Sequence, residues 1–169
     1  MIRFPVGVVE GSCHLLSDER YPAALVDLLR AARNRCLVSM FIVDTSGMTT
    51  AVVDEIIASL EAAVWRGLDV RVILGGSRIN WPIAETAAGS ARIFHDRQIP
   101  SRWLTSETRR GSHMKTVVVD DTVLVGSHNW SVGAFAGQHQ DTVLVSSPEL
   151  AAYLSGLFDE QWNRAAGAT

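Results

Sequence analysis

Between residues 36 and 74 the chain alternates in a way that few folds accommodate. An apolar run, Cys36 to Val43, is followed by an amphipathic stretch, Thr49 to Arg66, and then by a second apolar run, Val70 to Leu74. The outer runs are too short for globular helices and suit strands buried on both faces. In the middle stretch Val52, Val53, Ile56, Ile57, Leu60, Ala63 and Val64 recur at helical spacing. Gly67 then stands where a helix commonly ends. A strand, a helix and a strand in that order make a crossover that lays the two strands parallel in one sheet. The expected class is α/β, a mixed and largely parallel sheet with helices on both faces.

The flanking segments extend this reading. Val6 to Glu10 reads as a short strand. Pro22 opens a helical pattern that puts Leu25, Leu28, Leu29 and Ala32 on one face. Pro82 to Ala88 reads as a helix, Ala91 to Phe94 as a short strand, and Arg97 to Ser112 as a polar loop. Lys115 to Val119 and Thr122 to Val125 are β-branched segments separated at Asp120-Asp121, and Asp141 to Ser146 is a further strand. Ser147-Pro148-Glu149 is a helix start with serine at the N-cap and proline in the first turn. That helix runs to about Asn163 and turns Leu150, Leu154, Leu157, Phe158 and Trp162 inward. A chain of 169 residues fits one domain, spanning residues 1–169.

Charge is distributed unevenly. The formal net charge of −3 excludes a uniformly basic nucleic-acid glove. From Arg78 to Lys115, however, basic residues outnumber Glu85, Asp96 and Glu107, so the remainder of the chain is strongly acidic. Lys115 is the one lysine; the other basic side chains are arginines. No apolar run is long enough for a membrane span or a secretory leader, so the expectation is a cytoplasmic protein without membrane insertion. In that setting Cys13 and Cys36 are expected as reduced thiols.

The densest chemical signal is His113-Met114-Lys115, then Asp120, then Gly126-Ser127-His128-Asn129, which reads H-x-K-x4-D-x5-G-S-x-N. At typical residue frequencies such a pattern arises at about one start in ten million or fewer. On an extended chain His113 and Lys115 project to the same side. A phosphodiester is a poor electrophile because it is negatively charged, so a site that cleaves it must neutralise charge and present a nucleophile in line. Lys115 supplies a point charge, and Ser127 and Asn129 supply neutral donors. A neutral His113 imidazole can attack phosphorus and form a covalent phosphohistidine. Asp120, at a turn, reads as the structural member of this catalytic set.

In these residues the chain resembles the phospholipase D superfamily, and in particular its single-motif bacterial endonucleases. Arg66-Gly67-Leu68-Asp69-Val70 is similar to the family's RG-x-DV strand entry, Asn129-Trp130-Ser131 to its continuation, and Gln161-Trp162-Asn163 to its C-terminal helix. The resemblance implies cleavage without a metal or other cofactor. One histidine attacks and a second protonates the leaving oxygen. The family requires two motif copies and this chain has one, which implies a homodimer with its active site shared across the twofold axis. The spacer after Asp120 is five residues where six is common. The family's acidic residue that orients the nucleophile falls at Gln140 or Asp141.

Other residues define the competing readings. Arg97, Arg102, Trp103, Arg109 and Arg110 precede the motif and suit phosphate tracking and base stacking; the alternative is a solvated loop. His128 is a candidate substrate contact, and with His113 and His139 it makes a weak metal-binding alternative. Trp130 reads as core packing. The leading expectation is a nuclease acting on DNA or RNA. The alternatives are a phospholipid phosphodiesterase and a catalytically weak nucleic-acid-binding or scaffold module.

Overall fold

The structure is a computed structural model that describes residues 10–45, 50–76, 81–105 and 111–167. In chain order the elements are β1 (Ser12–Ser17), α1 (Arg20–Ala31), β2 (Arg35–Met40), α2 (Thr50–Trp65), β3 (Asp69–Gly76), α3 (Trp81–Asp96), β4 (Ser101–Thr105), β5 (Lys115–Val119), β6 (Thr122–Gly126), a π-helical turn (Gly133–Gly137), β7 (Asp141–Ser146), α4 (Pro148–Arg164) and β8 (Ala166–Gly167). The strands form one eight-stranded sheet in the order β1-β7-β6-β5-β2-β3-β4-β8.

The two apolar runs behave as their pattern requires. β2 and β3 pair in parallel through the α2 crossover, and β4 extends the parallel set beyond β3. Every other pairing is antiparallel, so the sheet is mixed but not largely parallel as the sequence suggested. The cause lies in the connections. β5 and β6 are joined by a tight turn, which can only link antiparallel strands, and of the helical connections only α2 and α3 join strands that are neighbours in the sheet.

Side chains alternate across the sheet and divide the core into two layers. Cys36, Val38, Met40, Val70, Val72, Leu74, Val117 and Val119 pack beneath α1, α2 and α3. Leu37, Ile73, Leu104, Val118 and Val123 face α4 through Ala151 and Phe158. Helices therefore cover both faces. Cys13 is exposed, Cys36 is buried, and both are free thiols.

Three local expectations change. Ala91 to Phe94 is not a strand but the last part of α3, where Ala87, Ala91 and Phe94 recur at helical spacing and are buried. The segment read as a polar loop contains β4, whose Trp103 and Leu104 pack toward opposite core layers. β1 lies at Ser12–Ser17; of the strand expected at Val6 to Glu10, residues 6–9 lie outside the described residues and Glu10 is not in a strand. The C-terminal helix starts as read: Ser147 accepts from the Leu150 amide at 3.4 Å, with proline next in sequence.

Asp120 fixes the register of the central strands. It occupies the tight turn after β5 with φ 50°, a left-handed conformation that aspartate tolerates better than most residues. Its carboxylate accepts the amides of Arg33 at 2.8 Å, Asn34 at 2.8 Å and Arg35 at 3.0 Å, and its carbonyl accepts from the Arg35 guanidinium at 3.1 Å. Partial burial opposes ionisation, but the amides of Arg35, Arg33 and Asn34 outweigh it and hold the carboxyl below its ordinary range. The turn is thereby locked to the loop that enters β2. Asp120→Asn keeps the size and the backbone tolerance but loses the charge. It should cost about 2 kcal/mol, or roughly 4–8 °C of melting temperature in a domain of this size. Because the folded carboxyl is depressed, the difference from wild type should be complete above pH 3.8 and shrink as pH falls below it, as read by thermal melts across pH.

Candidate active site

The motif converges at one end of the sheet, where β2 ends, β5 begins and β6 ends. The β2–β5 register places Lys115 opposite Met40, so the residues just after β2 meet those just before β5. Phe41 lies at that meeting point. Its ring sits 4.2 Å from the His113 imidazole, centroid to centroid, at 40°, and the Lys115 ammonium lies 4.9 Å from the Phe41 centroid. Lys115 Nζ donates to the His113 carbonyl at 2.9 Å and contacts His113 Nδ1 at 3.3 Å. His113 is exposed and Lys115 is half-buried, and that burial lowers the lysine's affinity for its proton.

The backbone around this pair is crowded. A Cβ on Gly75, in β3, would stand 2.6 Å from the Ser112 carbonyl oxygen and 2.7 Å from Phe41 Cδ2. Only glycine lets the end of β3 lie so close to both Phe41 and the segment that carries His113. Ser112 is buried and its amide donates to the Leu104 carbonyl at 2.8 Å, which holds that segment against β4.

Asn129 arrives from the other side. Its Oδ1 accepts the Ile42 amide at 3.2 Å, which leaves the NH2 end of the side chain as a donor. The next residue anchors it. Trp130 is fully buried, its Nε1 donates to the Tyr21 hydroxyl at 3.0 Å, and its backbone bonds Ile42 at 3.0 Å and Asp44 at 2.7 Å. Trp130 is thus core, as read from sequence. His113, through Phe41, and Asn129, through Ile42, are held by consecutive residues.

Other candidates are placed elsewhere. Asp120 lies at the far end of β5, about 17 Å along the strand from Lys115, and does only the structural work just described. Ser127 is exposed, and its hydroxyl accepts the Asp141 amide at 3.1 Å and donates to the Asp141 carbonyl at 3.3 Å. Neither orienting candidate reaches His113 within the chain. The Asp141 carboxylate accepts from Ser17 at 2.6 Å, and Gln140 donates to Gln138 at 3.0 Å and, from its amide, to Asp18 at 2.8 Å. The cause is topological: β7 is separated from β5 by β6.

His128 is not presented to substrate. Its ring is 0% exposed, stacks on Tyr21 at 4.4 Å and bonds Thr142 Oγ1 through Nδ1 at 2.8 Å, while Nε2 is buried without a hydrogen-bond partner. Burial lowers its proton affinity, against the backbone and charge of Asp18 and the charge of Asp141. His139 is exposed and pairs with Asp18 at 3.0 Å. Among the described residues, no group of three or more His, Cys, Asp or Glu side chains is arranged to hold a metal ion.

The arginine segment is only partly described. Arg102 donates to the Trp162 carbonyl at 2.8 Å and lies 4.5 Å over the Trp162 ring, so it braces α4. Trp103 is half-buried against the larger core layer. Arg109 and Arg110 lie outside the described residues. Sequence reasoning missed Phe41, Ile42 and Gly75. Their only signal was position, since each follows or ends an apolar strand whose neighbours were not yet known.

Solved structures share this fold. Nuc from Salmonella typhimurium, described as a phospholipase D family member, superposes with a TM-score of 0.76 at 20% identity over 94% of this chain and 98% of that one. NucT from Helicobacter pylori gives 0.68 at 16% identity, over 94% and 99% of the two chains. Phosphatidylserine synthase from Haemophilus influenzae gives 0.69 at 18% identity, over 87% of this chain but 36% of that one. No curated protein matches the sequence. The family model described as cardiolipin synthase, PLD-like domain, matches residues 25–162, which takes in every motif residue from His113 to Asn129. By that match, the chain belongs to the phospholipase D superfamily.

Proposed function

We propose that the protein is a metal-independent phosphodiesterase that cleaves DNA or RNA through a phosphohistidine, at a site shared by two copies of the chain. The observation that carries this reading is the pairing of the exposed His113 imidazole with the Lys115 ammonium at 3.3 Å, against Phe41, with Asn129 held by the adjacent Ile42. Lys115 and the Asn129 NH2 would bind the nonbridging phosphate oxygens and draw charge from phosphorus as the transition state forms. His113 Nε2 would then attack, forming the N–P bond as the P–O bond to the leaving group breaks. In the resting geometry Nδ1 faces the ammonium as an acceptor. A bound phosphate that draws Lys115 away leaves Nδ1 to carry the ring proton and Nε2 with the free lone pair. In the second half, water attacks phosphorus, the P–N bond breaks, and histidine returns.

The departing oxygen needs a proton from the side of phosphorus opposite the attack, and one imidazole cannot stand on both sides. His128 is buried and His139 is committed to Asp18, so neither serves as that acid within the chain. A twofold axis would supply His113 of the partner subunit, one ring neutral and the other protonated. An apolar surface suits such a contact. Leu15 (60% exposed), Val143 (37%) and Val125 (45%) stand side by side across β1, β7 and β6. This row lies on the sheet face opposite Lys115 and one residue further from the site end.

The nucleic-acid reading rests on the excess of basic residues near the motif and on full-length likeness to Nuc, while the lipid-handling synthase is matched over a minor part of its length. Among the described residues no helix is long and apolar enough to cross a membrane. The test is cleavage of labelled DNA, RNA and phospholipid vesicles in excess EDTA. Nucleic acid should be cut. His113→Ala and Lys115→Ala should each lose several orders of magnitude in turnover. Complete loss in EDTA, restored by a divalent ion, overturns the mechanism; turnover of vesicles alone overturns the substrate class.

Assembly is tested separately. Light scattering should give about twice the 18.4 kDa chain mass. Val143→Glu should yield a folded, inactive monomer. A monomer with wild-type turnover overturns the shared site.

A further inference from the structure

His113 carries a task that Asp18, Asp120 and Asp141 do not perform within the chain. A nucleophilic imidazole has to be held in one rotamer, and a hydrogen bond donated by its ring N–H to an acidic side chain is the usual means. Here the Asp141 carboxylate is taken by Ser17, the Asp18 carboxylate by His139 and the Gln140 amide, and the Asp120 carboxylate by the loop entering β2. The His113 ring is contacted by Phe41 and Lys115. Phe41 touches both members of the pair. The imidazole leans on its face at 4.2 Å and the ammonium stands 4.9 Å from its centroid. The ring is itself fixed, since its Cα and Cδ2 lie in the space that the missing Gly75 side chain leaves.

We propose that Phe41 is a positioning residue of the phosphate site, holding the His113 ring and the Lys115 ammonium in register. This inference rests on the phosphodiesterase reading for its consequence in turnover, but not for its geometry. The chemistry favours an aromatic ring in this place. The negative face of the ring attracts an ammonium, and it attracts the imidazolium that His113 becomes in its acid role. A carboxylate would do so more strongly, but it would also cancel the positive charge that must receive the substrate phosphate. A ring holds two cations without neutralising them, so the site stays attractive to an anion. Lysine, with four rotatable carbons, gains most from such a restraint.

The test compares two ring-less variants, Phe41→Leu and Phe41→Met, with Phe41→Tyr, which keeps the ring. Turnover and KM are measured on DNA and on bis(p-nitrophenyl) phosphate, with thermal melts as the control for folding. In parallel, nitrogen-edited NMR reads which His113 nitrogen carries the proton, with and without inorganic phosphate. The ring-less variants should lose about 10- to 100-fold in kcat, the scale expected when a reacting group is misplaced by an ångström or less, while KM for DNA stays within about threefold. Their His113 signals should average the two tautomers where the wild type shows one. Phe41→Tyr should restore both readouts. Wild-type kcat and a single tautomer in a ring-less variant overturn the proposal, as does a folded Phe41→Tyr that behaves like Phe41→Leu. If the wild type cleaves no phosphodiester at all, the functional reading fails, and the tautomer measurement still decides the role of Phe41.

Discussion

Much of this molecule depends on how β2 pairs with β5. The two strands are far apart in sequence and run antiparallel, with Cys36 opposite Val119 and Met40 opposite Lys115. A slip of one residue would turn the β5 valines to the wrong core layers and move Lys115 across the sheet. Asp120 guards against that slip from one end by binding the amides that lead into β2. The opposite end then has no freedom: Phe41 must emerge beside His113, and Ile42 beside Asn129. A turn about 17 Å away thus sets the geometry of the candidate site, and the motif's aspartate and its histidine belong to one mechanical unit.

Sequence legibility followed the range of the interactions. The α2 helix and its flanking strands were readable because hydrophobic periodicity is a local signal, and Gly67 closes the helix with φ 80° as its position implied. The motif was readable because a single short segment carries most of it. The sheet's direction was misjudged because the β2–β5 pairing joins residues some eighty apart, and no local pattern announces it. β4 was taken for loop because only Trp103 and Leu104 mark it as internal, and each faces a different layer. Phe41 and Gly75 were invisible for the same reason: they matter through neighbours that only the fold supplies.

His128 shows how a motif position can mislead. Lying between Ser127 and Asn129, it looks like part of a binding loop. The alternation that turns its neighbours outward turns its own ring inward, onto Tyr21 and Thr142. With Trp130 it fastens the loop to α1 and β7, so the polar cluster beneath the site is an anchor. Burial and an unpartnered ring nitrogen both disfavour the protonated form of His128.

The scarcity of lysine gives the site one more property. An arginine guanidinium keeps its charge at every pH a folded protein survives, whereas a lysine can surrender its own. All the chain's basic side chains but Lys115 and the histidines are arginines, and partial burial makes Lys115 release its proton more readily than an exposed lysine does. On alkaline titration the charge contributed by the arginines therefore stays constant while that of Lys115 is lost. If the proposed function holds, long-range attraction for a polyanion and local grip on one phosphate are thereby separable by pH, with no change to the sequence.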